Sequence, residues 1–113
     1  MSTNSVRTSD QPADLFTLGQ VVATRSVAAA MQHSPAFAAF VSNSLRRHHE
    51  GDWGALAISD ATANDLALVH RDRILSAYPA PADILPKSAL DTRIWIITEG
   101  DRSATTVLFP SDY

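Results

Sequence analysis

The sequence predicts an α+β domain of about three helices packed on a small antiparallel sheet that ends in a C-terminal β-hairpin. Three observations carry this expectation. From Thr24 to Arg73, apolar residues recur at helical spacing behind residues that start helices. The end reads RIWIITEGDRSATTVLFP, two β-branched and aromatic runs around the turn EGDR. Between these regions, Pro79, Pro81 and Pro86 forbid a continuous helix and bias the residues before them toward extended backbone.

Taken in order, residues 1 to 14 are polar, with Val6 their one large aliphatic apart from the initiating Met1, and predict a disordered tail before a single domain over residues 15 to 113. LFTLGQVVAT is rich in β-formers and predicts a strand or extended entry around Leu15 to Ala23. Thr24 is placed to cap a short helix, RSVAAAMQ, in which Val27, Ala30 and Met31 share a face. Ser34 as N-cap and Pro35 at the first helical position start a second helix, whose stripe is Phe37, Phe40, Val41 and Leu45. Gly51 fits the position just past its end. A third helix is expected from Ser59 or Asp60 through ATANDLALVHRDR, with Leu66, Val69 and Ile74 as its inner stripe.

In the hairpin, strands over Arg93 to Thr98 and Ser103 to Phe109 alternate Ile94, Ile96 and Thr98 against Trp95, Ile97 and Glu99, while Val107 and Phe109 oppose Leu108. Both faces are apolar. One packs on the helices, so the other needs cover from Leu15 to Val22, from Ile74 to Tyr78, or from another molecule.

Composition narrows the function classes. At 113 residues the chain has room for one core but not for a cofactor domain beside a substrate domain. A hydrophobic share of 45% and a charged share of 19% describe a folding sequence. A net charge of -3 and a pI near 5.7 leave little material for a nucleic-acid face, and twelve acids are too few for charge mimicry of DNA. No apolar run spans a membrane, and MSTNSVRTSDQPAD lacks the basic start and apolar block of a secretory leader. The absence of cysteine excludes disulfides and thiolate metal sites and makes the cytoplasm the expected compartment. No cofactor is expected.

The densest chemistry lies in RHHEGDWG, Arg47 to Gly54. Helical phase puts His48 on the side of Phe37, Val41 and Leu45, His49 at the edge of that side and Arg46 outward. His48 is therefore read first as an imidazole in the last turn, bonded to a free carbonyl or to Asp52. The catalytic alternative makes His48 a general base oriented by Asp52. Adjacent histidines diverge on a helix, the spacing of His48 and Asp52 is broken by Gly51, and His33 and His70 stand apart, so no metal site is expected. Trp53, between acid and glycine, is expected to plug the end of the helical layer with its N–H on a backbone partner, or else to bind a ligand. Asp60, Asn64 and Asp65 read as helix-start and solvent contacts, although Asn64 lies opposite Leu66 and, if buried, faces something other than the main core.

The layout is loosely similar to small ribonuclease toxins of the barnase and RelE-like kind, which set His, Arg, Thr or Tyr on a curved sheet. On that reading Arg73, Arg93 and Arg102 hold phosphate and His48 or His70 moves a proton. The chain's acidity argues against it, and Thr98, Asp101, Arg102 and Thr105 are also ordinary turn and cross-strand residues.

Several blocks, LGQVVAT, RHHEGDWG, ND followed by RILSAY, and IWIITEGDRSATTVLFPSDY, resemble in the same order a family of small bacterial proteins of plasmids and integrated mobile elements. The resemblance covers about Leu18 to Tyr113 and brings no established activity with it. Some relatives are labelled as modification subunits of type I restriction systems. A methyltransferase, however, needs a glycine-rich cofactor loop and an Asn- or Asp-led Pro-Pro-aromatic motif, and Gly19, Gly51, Gly54 and Gly100 are scattered. The resulting expectation is a non-enzymatic accessory protein of mobile elements acting through a protein partner or a homodimer, in defence or counter-defence. Its binding residues would be Trp95, Ile97 and Arg102 on the hairpin, with Trp53. The catalytic candidates are His48, Asp52 and Arg102.

Overall fold

The computed structural model describes residues 15–87 and 91–113; the tail expected over residues 1 to 14 lies outside them. The elements run β1 (Gln20–Ala23), α1 (Arg25–His33), α2 (Pro35–His49), α3 (Ile58–His70), β2 (Ile74–Pro79), β3 (Arg93–Thr98) and β4 (Ala104–Leu108), with 3-10 turns at Ala82–Ile84 and Pro110–Asp112. The fold is α+β, three helices on a four-stranded sheet of order β1-β4-β3-β2. β2–β3 and β3–β4 are antiparallel, but β1 joins β4 in parallel, so the sheet is mixed rather than wholly antiparallel. Parallel pairing follows from the route: β1 enters the sheet at the far end of a long excursion through all three helices, not through a hairpin.

Local signals place α2 and the hairpin where the sequence expects them. The Ser34 hydroxyl accepts the Phe37 N–H at 3.1 Å and Pro35 opens the helix. At the other end Gly51 N–H donates to the His48 carbonyl and Asp52 N–H to that of Arg47, a reversed pair that needs the left-handed φ of +88° at Gly51. The hairpin turn is closed by Arg102 N–H on the Glu99 carbonyl at 2.8 Å, and the left-handed residue there is Arg102, φ 63°, rather than Gly100.

The segment Ile74–Pro79 is the strand β2, although the sequence expects Ile74 on the inner stripe of the third helix and the rest only to leave helix geometry; α3 ends at His70, before Ile74. Its partner strand β3 stands between it and β4, so β2 extends the hairpin's sheet rather than covering it; Gln20–Ala23 likewise forms an edge strand, while Phe16 ahead of it packs against Ile74 and the Arg102 guanidinium. Thr24 and the third helix also differ from expectation. The Thr24 side chain makes no capping bond and donates instead to Asp112 Oδ2 at 2.7 Å. α3 starts at Ile58 behind Ala57, leaving Ser59 and Asp60 inside its first turn.

Two apolar clusters hold the layers. Val27 and Ala30 of α1 and Phe37 and Val41 of α2 pack on Tyr78, Ile94, Ile96, Val107 and Phe109, which share one face of the sheet. Each such side chain withdrawn from water contributes about 1.5–3 kcal/mol before entropy is counted. A second cluster joins Phe16, Trp53, Ala67 of α3 and Ile74. On the opposite sheet face Ile97 and Leu108 are buried and Trp95 is half-buried. There the Tyr113 ring meets Trp95 edge to face at 5.9 Å, and its hydroxyl accepts from Arg73 Nη1 at 3.0 Å.

Candidate functional site

The residues singled out in the sequence converge only in part. His48, in the last turn of α2, is fully buried, and its ring bridges two strands. Nδ1 lies 2.5 Å from Ser76 Oγ on β2, and Nε2 lies 2.9 Å from Thr98 Oγ1 on β3. Thr98 continues to Thr105 Oγ1 at 2.7 Å, and Thr105 donates to the Leu18 carbonyl at 2.7 Å. This order sets the direction of every proton. The Thr105 proton goes to a carbonyl, so Thr98 donates to Thr105, Nε2–H donates to Thr98, and Nδ1 accepts from Ser76. A neutral imidazole satisfies the whole row. Burial, followed by the nearby charge of His49, pushes the His48 pKa down to about 3. Ser44, one turn earlier, is also fully buried, and its Oγ has no hydrogen-bond partner among the described residues.

Asp52 does not meet His48. It faces outward, half exposed, and takes a two-pronged contact from Arg47, Nε to Oδ2 at 2.7 Å and Nη2 to Oδ1 at 3.2 Å. The hydrogen bond from Arg47 holds the Asp52 carboxyl below its ordinary value, and the same bond raises Arg47. Arg47 lies over the Tyr78 ring at 4.7 Å, and the Tyr78 hydroxyl donates to the Asp52 carbonyl at 2.5 Å. Burial pushes the Tyr78 phenol up to about 12.

Arg102 is buried at the hairpin turn. Nη1 donates to the carbonyls of Asp72 (2.7 Å) and Glu99 (3.1 Å), and Nη2 to that of Ala67 (3.1 Å). Two of these carbonyls belong to the end of α3 and the residues just after it, so the guanidinium caps the negative end of that helix. Burial lowers its pKa. Trp53 is buried, and its indole N–H points to the Asp65 carboxylate at 3.3 Å rather than to a backbone group. Phe16 gathers these residues: its ring lies 5.2 Å from His48, 6.2 Å from Trp53 and 5.6 Å from the Arg102 guanidinium. The corner is filled by the chain's own aromatic side chain.

The expected exposed hairpin face is not available as a surface. Ile97 and Arg102 are buried and Trp95 is packed on Tyr113. Among the described residues no group of three or more His, Cys, Asp or Glu side chains is placed to hold a metal ion, and no described helix is long and apolar enough to cross a membrane.

Among the described residues, large apolar side chains are exposed at Leu15, Val21, Val22 and Tyr113 and, most of all, along α3. Leu66 and Val69, expected inside, are 56% and 75% exposed, and Ile58 is 87% exposed. The inward face is instead Asn64 and Ala67. Asn64 is buried and bonds the backbone of Leu75 twice, Nδ2 to the carbonyl at 2.6 Å and Oδ1 from the N–H at 3.1 Å. Two residues on, Ala77 N–H reaches the Trp53 carbonyl at 3.2 Å, and Ala55 N–H reaches the Ala77 carbonyl at 2.8 Å. The outer edge of β2 is thereby closed. Gly54 makes the approach possible, because a Cβ there would stand 2.0 Å from the Ala77 carbonyl. The one sequence signal for this rotated phase is Asn64 itself, a polar residue opposite Leu66 in mid-helix.

Comparison with protein families, with curated proteins and with solved structures gives no match.

Proposed function

We propose that this protein works through protein contact, with the outward face of α3 as its contact surface, and not by chemistry at His48. The observation that carries the reading is the stripe of Ile58, Leu66 and Val69, three large aliphatic side chains more than half exposed on one helix. Solvated helix faces favour polar side chains, and an apolar stripe gains free energy only when something covers it. The candidate catalytic groups support the same reading. His48 has both ring nitrogens engaged with hydroxyls, Asp52 is paired with Arg47, and Arg102 serves carbonyls. His48 is turned to Ser76 and Thr98 and Asp52 outward to Arg47, so the two are not arranged as a base and its orienting acid. Of the groups that the ribonuclease alternative names, His48 and Arg102 are buried and Arg73 is engaged by Glu99 and the Tyr113 hydroxyl, while His70 and Arg93 are exposed.

The mobile-element setting, and a role there in defence or counter-defence, rest on the resemblance of the sequence blocks. Within that setting the protein is an accessory factor of the bacterial cytoplasm. The test is cross-linking capture from a bacterial lysate with the wild type, with Leu66→Asp plus Val69→Asp, and with His48→Gln. A partner lost in the α3 variant and kept with His48→Gln supports contact through α3. Equal capture by all three, or hydrolysis of RNA that depends on His48, overturns it.

A further inference from the structure

We infer that β1 is the seam of a homodimer, in which the open sheet edge of one chain pairs antiparallel with the same edge of a second copy. The ladder to β4 fixes which groups are left over. Gln20 N–H donates to the Ser103 carbonyl at 3.0 Å and Thr24 N–H to that of Val107 at 3.0 Å. Bonding alternates along a parallel strand, so Gln20, Val22 and Thr24 turn their backbone groups to β4, and Val21 and Ala23 turn theirs away from the sheet. Among the described residues nothing bonds those outward groups. The other edge of the sheet is treated differently. β2 is closed by Asn64 and by Trp53 and Ala55, whereas β1 reads QVVA, with no charge and no proline to deter a neighbour. Its residues are all exposed, Val21 at 45% and Val22 at 38%.

Self-pairing is what this strand fits. With Val22 on the two-fold axis, Val21 of each copy stands opposite Ala23 of the other, and each such pair exchanges both of its hydrogen bonds. Every outward N–H and C=O of the two strands is then satisfied, and Val22 meets Val22 as a non-bonded pair, where side chains approach most closely. The strand carries no charge, so none is opposed at the seam. A self-complementary edge of this kind is what a closed two-fold interface requires. α3 lies along β2, at the far edge of the sheet, so the dimer leaves both α3 faces uncovered and does not rest on the contact reading above. The strand spans only about 13 Å, and its pairing alone buries less than the roughly 800 Å² per partner of a standard interface. The dimer is therefore reversible and concentration-dependent.

Sedimentation of the full chain from about 1 to about 500 μM, the range where so small an interface titrates, should show the mass rising from one chain toward two. Val22→Lys sets two like charges on the axis, and it should keep the thermal transition and lose the rise. Leu66→Asp plus Val69→Asp should leave the rise unchanged. The chain has no native cysteine, so single thiols report the register. Under mild oxidation Val22→Cys should cross-link with itself, while Val21→Cys, whose two copies stand roughly 8 Å apart in this register, should do so several-fold less. A monomer throughout the range, a dimer that survives Val22→Lys or is lost in the α3 variant, or equal cross-linking of the two thiols overturns the inference. A monomer whose Val21 and Ala23 amides exchange more slowly once a captured protein is bound also overturns it, and puts a foreign strand on the edge.

Discussion

The Asn64 side-chain amide pairs with the backbone of Leu75 as a neighbouring strand would, accepting from its N–H and donating to its carbonyl. This pair decides the orientation of α3. A sheet edge leaves donors and acceptors that must be covered or solvated, and an aliphatic side chain cannot do this. The helix accordingly turns its carboxamide and the small Ala67 inward and leaves Leu66 and Val69 outside.

Replacing Asn64 should therefore cost more than an ordinary surface change. Asn64→Leu strips both partners and should lower unfolding free energy by about 2–3 kcal/mol, the cost of leaving two buried backbone groups unpaired. Asn64→Asp should be at least as harmful, since it sets a carboxylate oxygen against the Leu75 carbonyl. Urea unfolding measures both, and a loss no larger than that of Thr62→Ala on the exposed face would contradict the pairing.

His48 makes stability depend on pH. Its folded pKa is pushed down to about 3, below the unfolded value, so between the two the unfolded chain binds the extra proton. The sign is definite: the contribution is complete above about pH 6.5 and falls as pH drops, by up to about 1.4 kcal/mol per unit. Between about pH 7 and pH 5 the wild type should lose about 2 kcal/mol more than His48→Gln. Carboxylates such as Asp52 titrate in both proteins and cancel in the comparison. Parallel pH profiles would show that His48 is not held neutral. Nitrogen NMR should find the proton on Nε2.

Arg102 should behave as a structural cap. Arg102→Met leaves the Asp72 carbonyl without its guanidinium donor, while the Ala67 and Glu99 carbonyls keep backbone donors, and should lose about 2 kcal/mol. Arg102→Lys cannot reach all three acceptors from one ammonium and should fall between. Arg102→Gly tests the other half of its role, relieving the left-handed backbone while deleting the guanidinium. Partner capture should persist in every variant that folds at the assay temperature.

Asp112 ties Pro110–Asp112 to the start of α1. Burial alone would raise its pKa, but hydrogen bonds from Ser26, Thr24 and the Phe109 N–H hold it below the usual value. A carboxylate at a helix N-terminus is also favoured by the helix dipole. Asp112→Asn should cost about 1 kcal/mol and speed hydrogen exchange in the first turn of α1 while leaving α2 unchanged. Uniform faster exchange across both helices would contradict this local role.

What the sequence determined by itself is local. Ser34 with Pro35, and Gly51 past His49, bound α2 because cap geometry involves residues within one turn. Period-two alternation sorted Ile94 and Ile96 from Trp95 and Ile97 for the same reason, and helical phase turned His48 inward. The tertiary structure decided what those residues meet. Ser76 and Thr98, the partners of His48, lie 28 and 50 residues further on, and no spacing rule connects them. The parallel pairing of β1 and the strand character of Ile74–Pro79 depend on which segment a sheet edge finds. For α3, hydrophobic periodicity selected Leu66 and Val69 as the inner face, but the unpaired edge of β2 required a hydrogen-bonding partner. Asn64 supplies that partner to Leu75, which no aliphatic side chain can do, and α3 accordingly faces Asn64 and Ala67 to the sheet and its apolar stripe to the outside.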